Sequence, residues 1–475
     1  MKIHFIGIGG IGVSALATYY LENGHTITGS DLIESEITQA LKRKGVRIAI
    51  GPHKAENVPA SCDMIIFSPA VERTNPEREE AERIKQRKSQ KTRVDLLHQT
   101  KTPLAVLSYP QALGELTKTH YTVAVSGTHG KSTTCAMIAL ILEKAGLDPT
   151  VIVGTKLKEF NNTNCRVGKG KYLHKGKPIL VLEADEHFAS FLNYFPDIIV
   201  LTTIEPDHLD YYKNLTNILR TFRRYILRLP KDGIIVANKD DKNTTIVVTS
   251  SKHFIEYYAA KWVAARELRK ILKVPGEFNV ANAHAALTTS RVLGVQDQVS
   301  YDALAAFQGT WRRFEIFELT RPVPYTLVSD YGHHPTEVKV TVKAARAKWP
   351  KRQLWVVFQP HQYQRTYYFF HDFVSILSRL PVDKLILADI YDVPGREEDA
   401  VKQKVSSEKL VKEILKRKER KQKETILWLP TLEEIYDYLN QTLTGNEVVM
   451  VMGAGSIYDL TLRLTDQLQQ EKMKQ

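Results

Sequence analysis

The chain has 475 residues, of which 43% are hydrophobic and 25% are charged, a composition typical of a soluble globular protein with about three domains. Its three cysteines form no CxxC pair, so we exclude a disulfide framework and a zinc ribbon and expect a reducing compartment. No apolar run approaches the roughly 18 residues of a membrane span, and the N-terminus MKIHFIGIGGIG lacks the features of a secretory signal. We therefore expect a cytoplasmic protein with no membrane partner.

The formal net charge is +13, and much of the excess lies in two clusters, 83–93 and 412–423. The second cluster mixes Glu with Lys and Arg at helical spacing, which is typical of a solvated helix face. The segment 83–101, which contains the first cluster, is rich in Arg, Lys and Gln and indicates a polar helix or an insertion. Since no aromatic residues interleave with the charges, we expect no nucleic-acid partner. A basic balance also suits a protein that handles polyphosphate substrates.

The first block predicts a strand (3–8), a glycine-rich turn, a helix (13–23) and a second strand (26–28). The turn reads G-x-G-x-x-G in a βαβ setting, where glycines let the backbone approach a diphosphate at a helix N-terminus. Asp31 lies near the sequence distance from the glycines at which an acid binds a ribose hydroxyl. Ser68 ends a further buried strand, and such strand ends face the ligand crevice of a parallel sheet. NAD, FAD and a UDP-sugar would all fit, and a tight turn without a ligand is the alternative. The expected ligand-binding residues are Gly7, Gly9, Gly10, Gly12, Asp31 and Ser68.

The second block begins near Thr119 with a strand, the loop GTHGKST and a helix predicted from Thr133. This order suits a phosphate-binding loop, although the loop is shorter than the common G-x-x-x-x-G-K-[ST] pattern. Backbone N–H groups would cradle the phosphates, the lysine would reach the β and γ oxygens, and the serine would hold Mg²⁺. We expect ATP to be bound by Gly127, Thr128, His129, Gly130, Lys131, Ser132 and Thr133.

Acidic residues follow two more strands of this block. One strand is predicted to end at Glu183, before Asp185 and Glu186, and the other at Glu205, Asp207 and His208. Both ends would lie beside the phosphate loop in a doubly wound sheet, so Glu183 is the expected Mg²⁺ partner and His208 a candidate ligand of a second ion. A helix cap at Glu183 and an ordinary surface histidine at His208 are the alternatives.

The pair Asn279 and Asn282 lies in the first turn of a predicted helix, where the pattern alone indicates helix caps. A third block starts near Gly309 and alternates strands and helices, which predicts another α/β sheet. Its predicted strand ends carry Asp330, His333, His334, His361 and Arg365. Neighbouring side chains point apart, so the two adjacent histidines are poorly spaced for one metal ion, and we expect substrate contacts or supporting roles.

Seven motifs in one order closely resemble the Mur ligase family over nearly the whole chain: GTHGKST, LEADE, TTIEPDHLDYY, PGEFNVANAHAA, WRRFE, SDYGHHPTE and FQPHQYQRT. The compressed phosphate loop is the form that this family uses. The resemblance implies a three-domain α/β fold. Its parts would be a Rossmann-like UDP-sugar-binding domain (1–118), a central P-loop ATPase-like domain (119–308) and a Rossmann-like C-terminal domain for amino-acid binding and closure (309–475).

The activity implied by this resemblance is ATP-dependent ligation of L-alanine to UDP-N-acetylmuramate through an acyl phosphate, with Mg²⁺, in peptidoglycan precursor synthesis. The implied catalytic residues are Lys131, Glu183, His208, Arg313 and Asp330, of which the last two close onto the nucleotide. The implied metal ligands are Ser132, Glu183 and His208, and Asn279 and Asn282 match ATP-site asparagines. Asn164 and Arg166 join the sugar-nucleotide set, while His334, His361 and Arg365 would handle the amino acid and the sugar-linked carboxylate.

This sequence departs from the usual family pattern at Phe278, Ser329, Gln362 and Ser456, at NTNCR (162–166), and through an apparent insertion at 85–101. A related Mur-type ligase that adds another amino acid or a peptide, such as the murein tripeptide, is the nearest alternative function. A dinucleotide-dependent oxidoreductase fused to an ATPase and a non-catalytic ATP-binding module are alternatives from other classes. We expect a monomer or a weak homodimer.

Overall fold

The computed structural model describes residues 1–94, 104–393, 399–417 and 425–472, so the predictions for 95–101 and 418–423 lie outside it. The chain divides into two compact units. The first comprises Met1–Ile204, Leu219–Ala259 and Ala285–Leu304, and the second Glu205–Ile218, Ala260–His284 and Ala305–Gln475. Among the helices of the described residues, none combines the length and the apolar character that a bilayer crossing needs.

The first sheet has five parallel strands in the order β3-β2-β1-β4-β5. Strand β1 is almost entirely buried, as expected of a central strand that is covered on both faces. The strand order reverses between β1 and β4, and ligands bind at such a switch point in doubly wound sheets. The elements are β1 (Lys2–Ile6), α1 (Ile11–Glu22), β2 (Thr26–Asp31), α2 (Glu36–Arg43), β3 (Arg47–Ile50), a 3₁₀ turn (Ala55–Asn57), β4 (Met64–Phe67), α3 (Pro76–Val94), β5 (Ala105–Ser108) and α4 (Tyr109–Thr119).

The second sheet has seven strands in the order β12-β11-β10-β6-β9-β7-β8, and only the edge strand β8 is antiparallel. Its strands are β6 (Tyr121–Ser126), β7 (Thr150–Leu157), β8 (Thr163–Arg166), β9 (Ile179–Glu183), β10 (Ile198–Leu201), β11 (Ile234–Asn238) and β12 (Phe254–Tyr258). The α-helices of this stretch of chain are α5 (Lys131–Lys144), α6 (Leu209–Tyr212), α7 (Leu215–Ile226), α8 (Lys242–Val248), α9 (Val263–Ile271), α10 (Glu277–Val292) and α11 (Asp297–Ala306). The 3₁₀ turns are Lys158–Phe160 and His187–Asn193.

The third sheet has six strands in the order β13-β14-β18-β15-β16-β17, with the edge strand β13 antiparallel. Its strands are β13 (Glu315–Leu319), β14 (Tyr325–Asp330), β15 (Gln353–Phe358), β16 (Lys384–Leu387), β17 (Ile426–Trp428) and β18 (Glu447–Met452). Its helices are α12 (Pro335–Lys348), α13 (Tyr363–Tyr368), α14 (Phe370–Leu377), α15 (Asp399–Lys402), α16 (Ser407–Lys416), α17 (Leu432–Thr442) and α18 (Ile457–Lys472).

Two apolar cores cover opposite faces of the third sheet because successive strand residues point to opposite sides. Leu354 and Val356 of β15 pack with residues of α12, α14 and α16, whereas Trp355 and Val357 pack with residues of α17 and α18. The three sheets confirm the predicted three-domain α/β class. They occupy 2–108, 121–258 and 315–452, and the predicted domain boundaries at 118/119 and 308/309 remain a prediction.

The described parts of the two basic stretches are helical. Residues 83–94 belong to α3, as expected of a polar helix. Helix α16 ends at Lys416, which pairs with Glu413 at 2.6 Å, and Lys412 pairs with Glu408 at 2.7 Å. This is the charge pattern of a solvated helix face.

Candidate nucleotide and acyl-transfer sites

The glycine-rich turn connects β1 to α1, as predicted. The helix starts at Ile11, two residues before the predicted Val13, because Gly10 already acts as its N-cap residue. The backbone N–H of Gly9 donates to Asp31 Oδ2 at 2.7 Å. A Cβ atom at Gly9 would lie 2.8 Å from that oxygen, so the close approach of turn and carboxylate requires glycine. One Asp31 oxygen therefore holds the turn.

Two other predicted sugar-nucleotide residues contact this turn. Ser68 follows β4, and its Cβ would be 3.0 Å from a Cβ added at Gly7. Asn164 of β8 donates through Nδ2 to the carbonyl of Ile11 at the start of α1. The structure thus brings residues 7–12, Asp31, Ser68 and Asn164 together within the first unit.

Arg166, the last predicted residue of this set, is engaged elsewhere in the same unit. Its guanidinium donates to Asp148 Oδ1 at 3.0 Å, to Glu143 Oε1 at 3.1 Å and to the carbonyl of Pro149 at 2.6 Å. These bonds fasten β8 to the end of α5 and the loop that follows it. Its role in sugar-nucleotide binding stays a prediction.

The phosphate loop lies between β6 and α5, in the predicted strand–loop–helix order. Gly127 has a φ of +135°, and a Cβ there would overlap Thr202 Oγ1, so no larger residue fits. The Thr128 N–H donates to the Thr203 carbonyl at 2.6 Å, and the His129 N–H donates to Thr203 Oγ1 at 3.3 Å. Residues that follow β10 therefore hold the loop.

The first turn of α5 carries the predicted phosphate ligands. The helix begins at Lys131 rather than at the predicted Thr133, which places Ser132 and Thr133 directly after the loop. Backbone N–H groups in the first turn of a helix have no partner within the helix, and the helix dipole favours an anion there. This geometry is that of an anion-binding loop.

Lys131 forms an ion pair with the buried carboxylate of Glu186, which the sequence did not predict. Its Nζ donates to both carboxylate oxygens of Glu186, at 3.0 and 2.8 Å, and to the carbonyl of Gly127 at 2.7 Å. Burial lowers the pKa of the Lys131 ammonium, but the carboxylates of Glu186, Asp185 and Glu183 outweigh burial and raise it. Lys131 is thus a permanent cation, and burial in turn raises the pKa of Glu186.

Glu183 ends β9 as predicted, opposite Val125 of β6, the strand that leads into the phosphate loop. One of its oxygens, Oε2, accepts a hydrogen bond from the Gly154 N–H at 2.8 Å. A carboxylate and the Ser132 hydroxyl are both oxygen donors, the chemistry that Mg²⁺ prefers. The donor set at this edge of the sheet therefore fits the predicted ion.

In the second unit, the predicted residue Arg365 is held by a carboxylate that the sequence did not assign. Its Nε donates to Asp207 Oδ1 at 3.2 Å, and both side chains are buried. Its Nη1 donates to the Oε1 of Gln362 at 3.2 Å and lies 3.3 Å from His361 Nδ1. Burial raises the pKa of Asp207, but Arg365 and the surrounding histidines outweigh it and hold the pKa well below its usual range.

His208 follows Asp207 in a loop, because β10 ends at Leu201 rather than at the predicted Glu205. Its φ of +50° is left-handed, and its N–H donates to Asp207 Oδ1 at 2.7 Å. Its Nε2 lies 3.8 Å from Asp207 Oδ2. The carboxylate thus fixes the backbone of the candidate metal ligand as well as Arg365.

The adjacent histidines have separate partners, as expected of neighbours whose side chains point apart. His334 caps α12: its Nδ1 accepts from the Thr336 N–H at 3.3 Å, which leaves Nε2 to donate to the Pro206 carbonyl at 3.2 Å. His333 lies 3.1 Å from the Tyr331 carbonyl through Nδ1. Burial, reinforced by Arg365, lowers the pKa of His333 to about 4, so its imidazole is neutral.

Arg313 lies just before β13 of the third sheet, and Asp330 is the last residue of β14. Asp330 is buried, and its two oxygens accept from the N–H groups of Phe314 at 2.9 Å and Gly332 at 2.7 Å. Burial raises its pKa to about 6, although Arg313 opposes this shift. Arg313 donates through Nη1 to Glu337 Oε1 at 3.4 Å. Asp330 fixes the strand end, and its predicted contact with the nucleotide stays a prediction.

The pattern-based prediction that Asn279 and Asn282 cap a helix was wrong. Helix α10 starts at Glu277, so both asparagines lie inside it, and both are buried. Asn279 donates through Nδ2 to the Pro275 carbonyl at 2.7 Å, and Asn282 donates to Asn279 Oδ1 at 3.4 Å. Both buried amides have hydrogen-bond partners, and their role in ATP binding stays a prediction.

The four unusual residues all have structural partners within the second unit. Phe278 packs against the apolar core of the third sheet, and Gln362 accepts from Arg365. Ser456 Oγ accepts from Gln359 Nε2 at 3.3 Å, and Ser329 Oγ accepts from Thr461 at 3.4 Å. Of these, Gln362 contacts the predicted substrate residue Arg365 directly.

Comparison with known proteins agrees with this arrangement. Models of the Mur ligase family match at 2–92 (catalytic domain), 125–290 (middle domain) and 312–455 (glutamate ligase domain). The UDP-N-acetylmuramate–L-alanine ligases of Caldanaerobacter subterraneus subsp. tengcongensis and Clostridium tetani are 35% and 37% identical to this chain. The alignments cover 97% and 96% of this chain and 96% of each relative.

The crystal structure of UDP-N-acetylmuramate-alanine ligase MurC from Thermotoga maritima is similar at a TM-score of 0.74 and 25% identity, covering 99% of this chain and all of that one. A murein peptide ligase from Psychrobacter arcticus shares the fold at a TM-score of 0.66 and 21% identity, covering 98% of each chain. Three domain models in order, together with relatives above 30% identity over nearly the full length, establish the family. This chain belongs to the Mur ligase family.

Proposed function

We infer that this chain is an ATP-dependent ligase that joins L-alanine to UDP-N-acetylmuramate in peptidoglycan precursor synthesis. Relatives named for this reaction match almost the whole chain, and the structure similar to it over its full length is named for the same activity. The observation that carries the chemistry is Lys131, a cation only 13% exposed at the first position of a helix that follows a glycine loop.

The reaction has two steps. The lactyl carboxylate of UDP-N-acetylmuramate attacks the γ-phosphorus of ATP, the bond to the bridging oxygen breaks, and ADP leaves with that electron pair. The amine of L-alanine then attacks the acyl carbon, phosphate departs, and the nitrogen loses a proton to give the amide. Lys131 serves the first step by neutralising charge on the transferred group, for which it must exchange Glu186 for phosphate oxygens.

We propose Mg²⁺ as the ion of this reaction, with Ser132 and Glu183 as ligands and His208 at a second ion. The ion would neutralise charge on the phosphate oxygens. The fit rests on the oxygen donors at the end of β9 and the start of α5. Arg313, Asp330, Asn279 and Asn282 are proposed to complete ATP binding.

The two other substrates have separate proposed sites. The sugar nucleotide would bind at the glycine turn with Asp31, Ser68, Asn164 and Arg166. This assignment is supported by the contacts among the first three of these residues and the turn. His334, His361 and Arg365 would bind the amino acid and the sugar-linked carboxylate. Arg365 has N–H groups that suit a carboxylate, provided that Asp207 keeps it oriented.

We propose a cytoplasmic location and a monomer or weak homodimer. The three cysteines are buried free thiols, which suits a reducing compartment. Sedimentation of the purified protein across a concentration range would test the oligomeric state.

The decisive experiment measures phosphate release from ATP and Mg²⁺ with UDP-N-acetylmuramate, across single amino acids and the murein tripeptide. Release that requires both the sugar nucleotide and L-alanine is the expected result. Release with the tripeptide or another amino acid would keep the ligase reaction and move the specificity, and Gln362, which contacts Arg365, would be the first residue to exchange. Absence of release with every acceptor would contradict the ligase assignment.

A further inference from the structure

A buried carboxylate at the start of α3 takes no part in the proposed chemistry. Glu77, in the first turn of α3, is fully buried. Its Oε1 accepts from Asn57 Nδ2 at 2.6 Å and lies 3.1 Å from His53 Nδ1, and its Oε2 accepts from Ser30 Oγ. His4 Nε2 lies 3.8 Å from the same Oε2. Four side chains, from β1, β2 and the segment 53–57, therefore meet at this carboxylate of α3.

This carboxylate connects to the glycine turn through a single residue, Ser30. The Ser30 side chain donates to Glu77, while its carbonyl accepts from the N–H groups of Gly7 at 2.9 Å and Ile8 at 3.0 Å. The next residue, Asp31, accepts from Gly9. The end of β2 thus supplies the acceptors for three successive N–H groups of the turn. Glu77 holds that strand end through the Ser30 hydroxyl.

The charge on Glu77 is maintained despite its burial. Burial raises the pKa of this carboxyl, but its polar neighbours outweigh burial and lower the pKa to about 2. The helix that carries Glu77 also contributes Ala81 to an apolar core with Ile6 and Ile65. Apolar residues of similar volume often replace buried ionic groups without loss of stability, so a buried and fully partnered charge points to a need for one fixed geometry.

We propose that Glu77 is a positioning residue for sugar-nucleotide binding, which fixes the end of β2 and thereby the glycine turn that receives the diphosphate. The proposal rests on the proposed function for the identity of the ligand. Glu77 itself does not contact the ligand in this scheme: it acts through Ser30. The end of β2 fixes the shape of the turn through the N–H groups of Gly7, Ile8 and Gly9. A shift of β2 therefore displaces the N-terminus of α1 that would receive the diphosphate, which weakens binding of the sugar nucleotide and leaves the ATP site unchanged.

The test compares Glu77→Gln, Ser30→Ala and the control Glu79→Gln in the full-length protein. Glu79 lies on the same helix, but its side chain is 49% exposed and pairs with Arg83 on the surface. Glutamine keeps the shape of Glu77 but presents an N–H₂ group where the carboxylate accepted hydrogen bonds. Calorimetric titration would give the Kd for UDP-N-acetylmuramate and for ATP, and steady-state kinetics would give KM for both and kcat.

We expect the Kd and KM for UDP-N-acetylmuramate to rise about tenfold in Glu77→Gln, near the lower limit for a lost hydrogen bond to a charged group, and about fivefold in Ser30→Ala, the range of an ordinary hydrogen bond. The Kd for ATP and kcat at saturating sugar nucleotide should stay within about twofold of wild type, and Glu79→Gln should match wild type. Ser30→Ala tests the same link if Glu77→Gln does not fold.

Unchanged sugar-nucleotide affinity in the folded variants would overturn the proposal, as would an equal loss of ATP affinity, which indicates general destabilisation. The proposed function is tested separately, by phosphate release from the wild-type protein. Wild-type protein that binds UDP-N-acetylmuramate but releases no phosphate would refute the ligase reaction, while the ratio of variant to wild-type Kd would still decide the role of Glu77.

Discussion

Lys131 and Arg365 are both cations held by a buried carboxylate, but the charges that surround the two pairs differ. Lys131 faces three acids, Glu183, Asp185 and Glu186, so the loop region carries an excess of negative charge. The Arg365 pair has one acid, Asp207, with histidines around it, and the nearby Glu337 is itself paired with Arg313. The first region would therefore repel a polyphosphate that arrives without a cation, whereas the net charge of the second region is close to zero.

This difference indicates what each region needs from its ligand. An acid-rich loop accepts ATP only when further positive charge arrives with the nucleotide, which is the role that a metal ion performs in phosphoryl transfer. The Arg365 region offers N–H donors beside a balanced charge and can accept a carboxylate without an ion. We therefore expect nucleotide binding to depend strongly on Mg²⁺ and amino-acid binding to depend on it weakly.

The largest expected effect comes from removing the cation of the first region. Lys131→Ala leaves three carboxylates beside the phosphates, so phosphate release should fall by about 10³-fold or more. The Kd for UDP-N-acetylmuramate should remain nearly unchanged, because the glycine turn lies on another sheet. Lys144→Ala, at the exposed end of the same helix, is the matched control. Loss of both phosphate release and sugar-nucleotide binding would contradict the assignment of separate sites.

The corresponding change in the second region removes its acid. Asp207→Asn leaves Arg365 buried without a counter-charge, which should lower the free energy of unfolding by about 3 kcal/mol and kcat/KM for L-alanine by about 10²-fold. Urea unfolding and kinetics at varied L-alanine would measure both, with the exposed Asp372→Asn as control. A wild-type kcat/KM in Asp207→Asn would show that Arg365 needs no orientation by this carboxylate.

The sequence predicted the strand–loop–helix order at both glycine motifs because local pattern determines it. It did not predict that Glu186 binds Lys131, since LEADE offers three acids within four residues and no periodicity tells which one reaches the loop. The Asp207–Arg365 pair was also missed, because its members are 158 residues apart and only the tertiary fold brings them together. The asparagines were also assigned wrongly as helix caps. Capping preference applies to the residue just before a helix, and α10 already starts at Glu277.

A smaller effect is expected when an acid of the first region, Glu186, is neutralised. Glu186 competes with phosphate for Lys131, so Glu186→Gln should lower the Kd for ATP with Mg²⁺ about tenfold, the value of one hydrogen bond between charged groups. Titration of ATP without the sugar nucleotide measures this, and Glu115→Gln, whose side chain is 57% exposed, is the control. Weaker ATP binding in Glu186→Gln would mean that Glu186 assists the nucleotide instead of competing with it.

The smallest effect concerns the neutral histidine of the second region. The folded pKa of His333 is about 4, below the ordinary 6.5, so the unfolded chain binds its proton more tightly. The stability from neutral His333 is complete above pH 6.5 and is lost as pH falls towards 4, with a loss of about 1 kcal/mol at pH 5.5. Glu337 and Asp207 oppose the shift, and Arg365 reinforces it.

His333→Asn keeps an N–H donor near the Tyr331 carbonyl but cannot titrate, so its unfolding free energy should fall less than that of wild type between pH 7.5 and 5.5. The other histidines titrate in both proteins, and the difference between the two urea-unfolding curves isolates His333. Parallel pH profiles would show that folding does not lower the pKa of His333, so that the folded protein carries the His333 proton at pH 5.5. The second region would then hold a further positive charge, and its contrast with the acid-rich loop would be larger than the neutral imidazole implies.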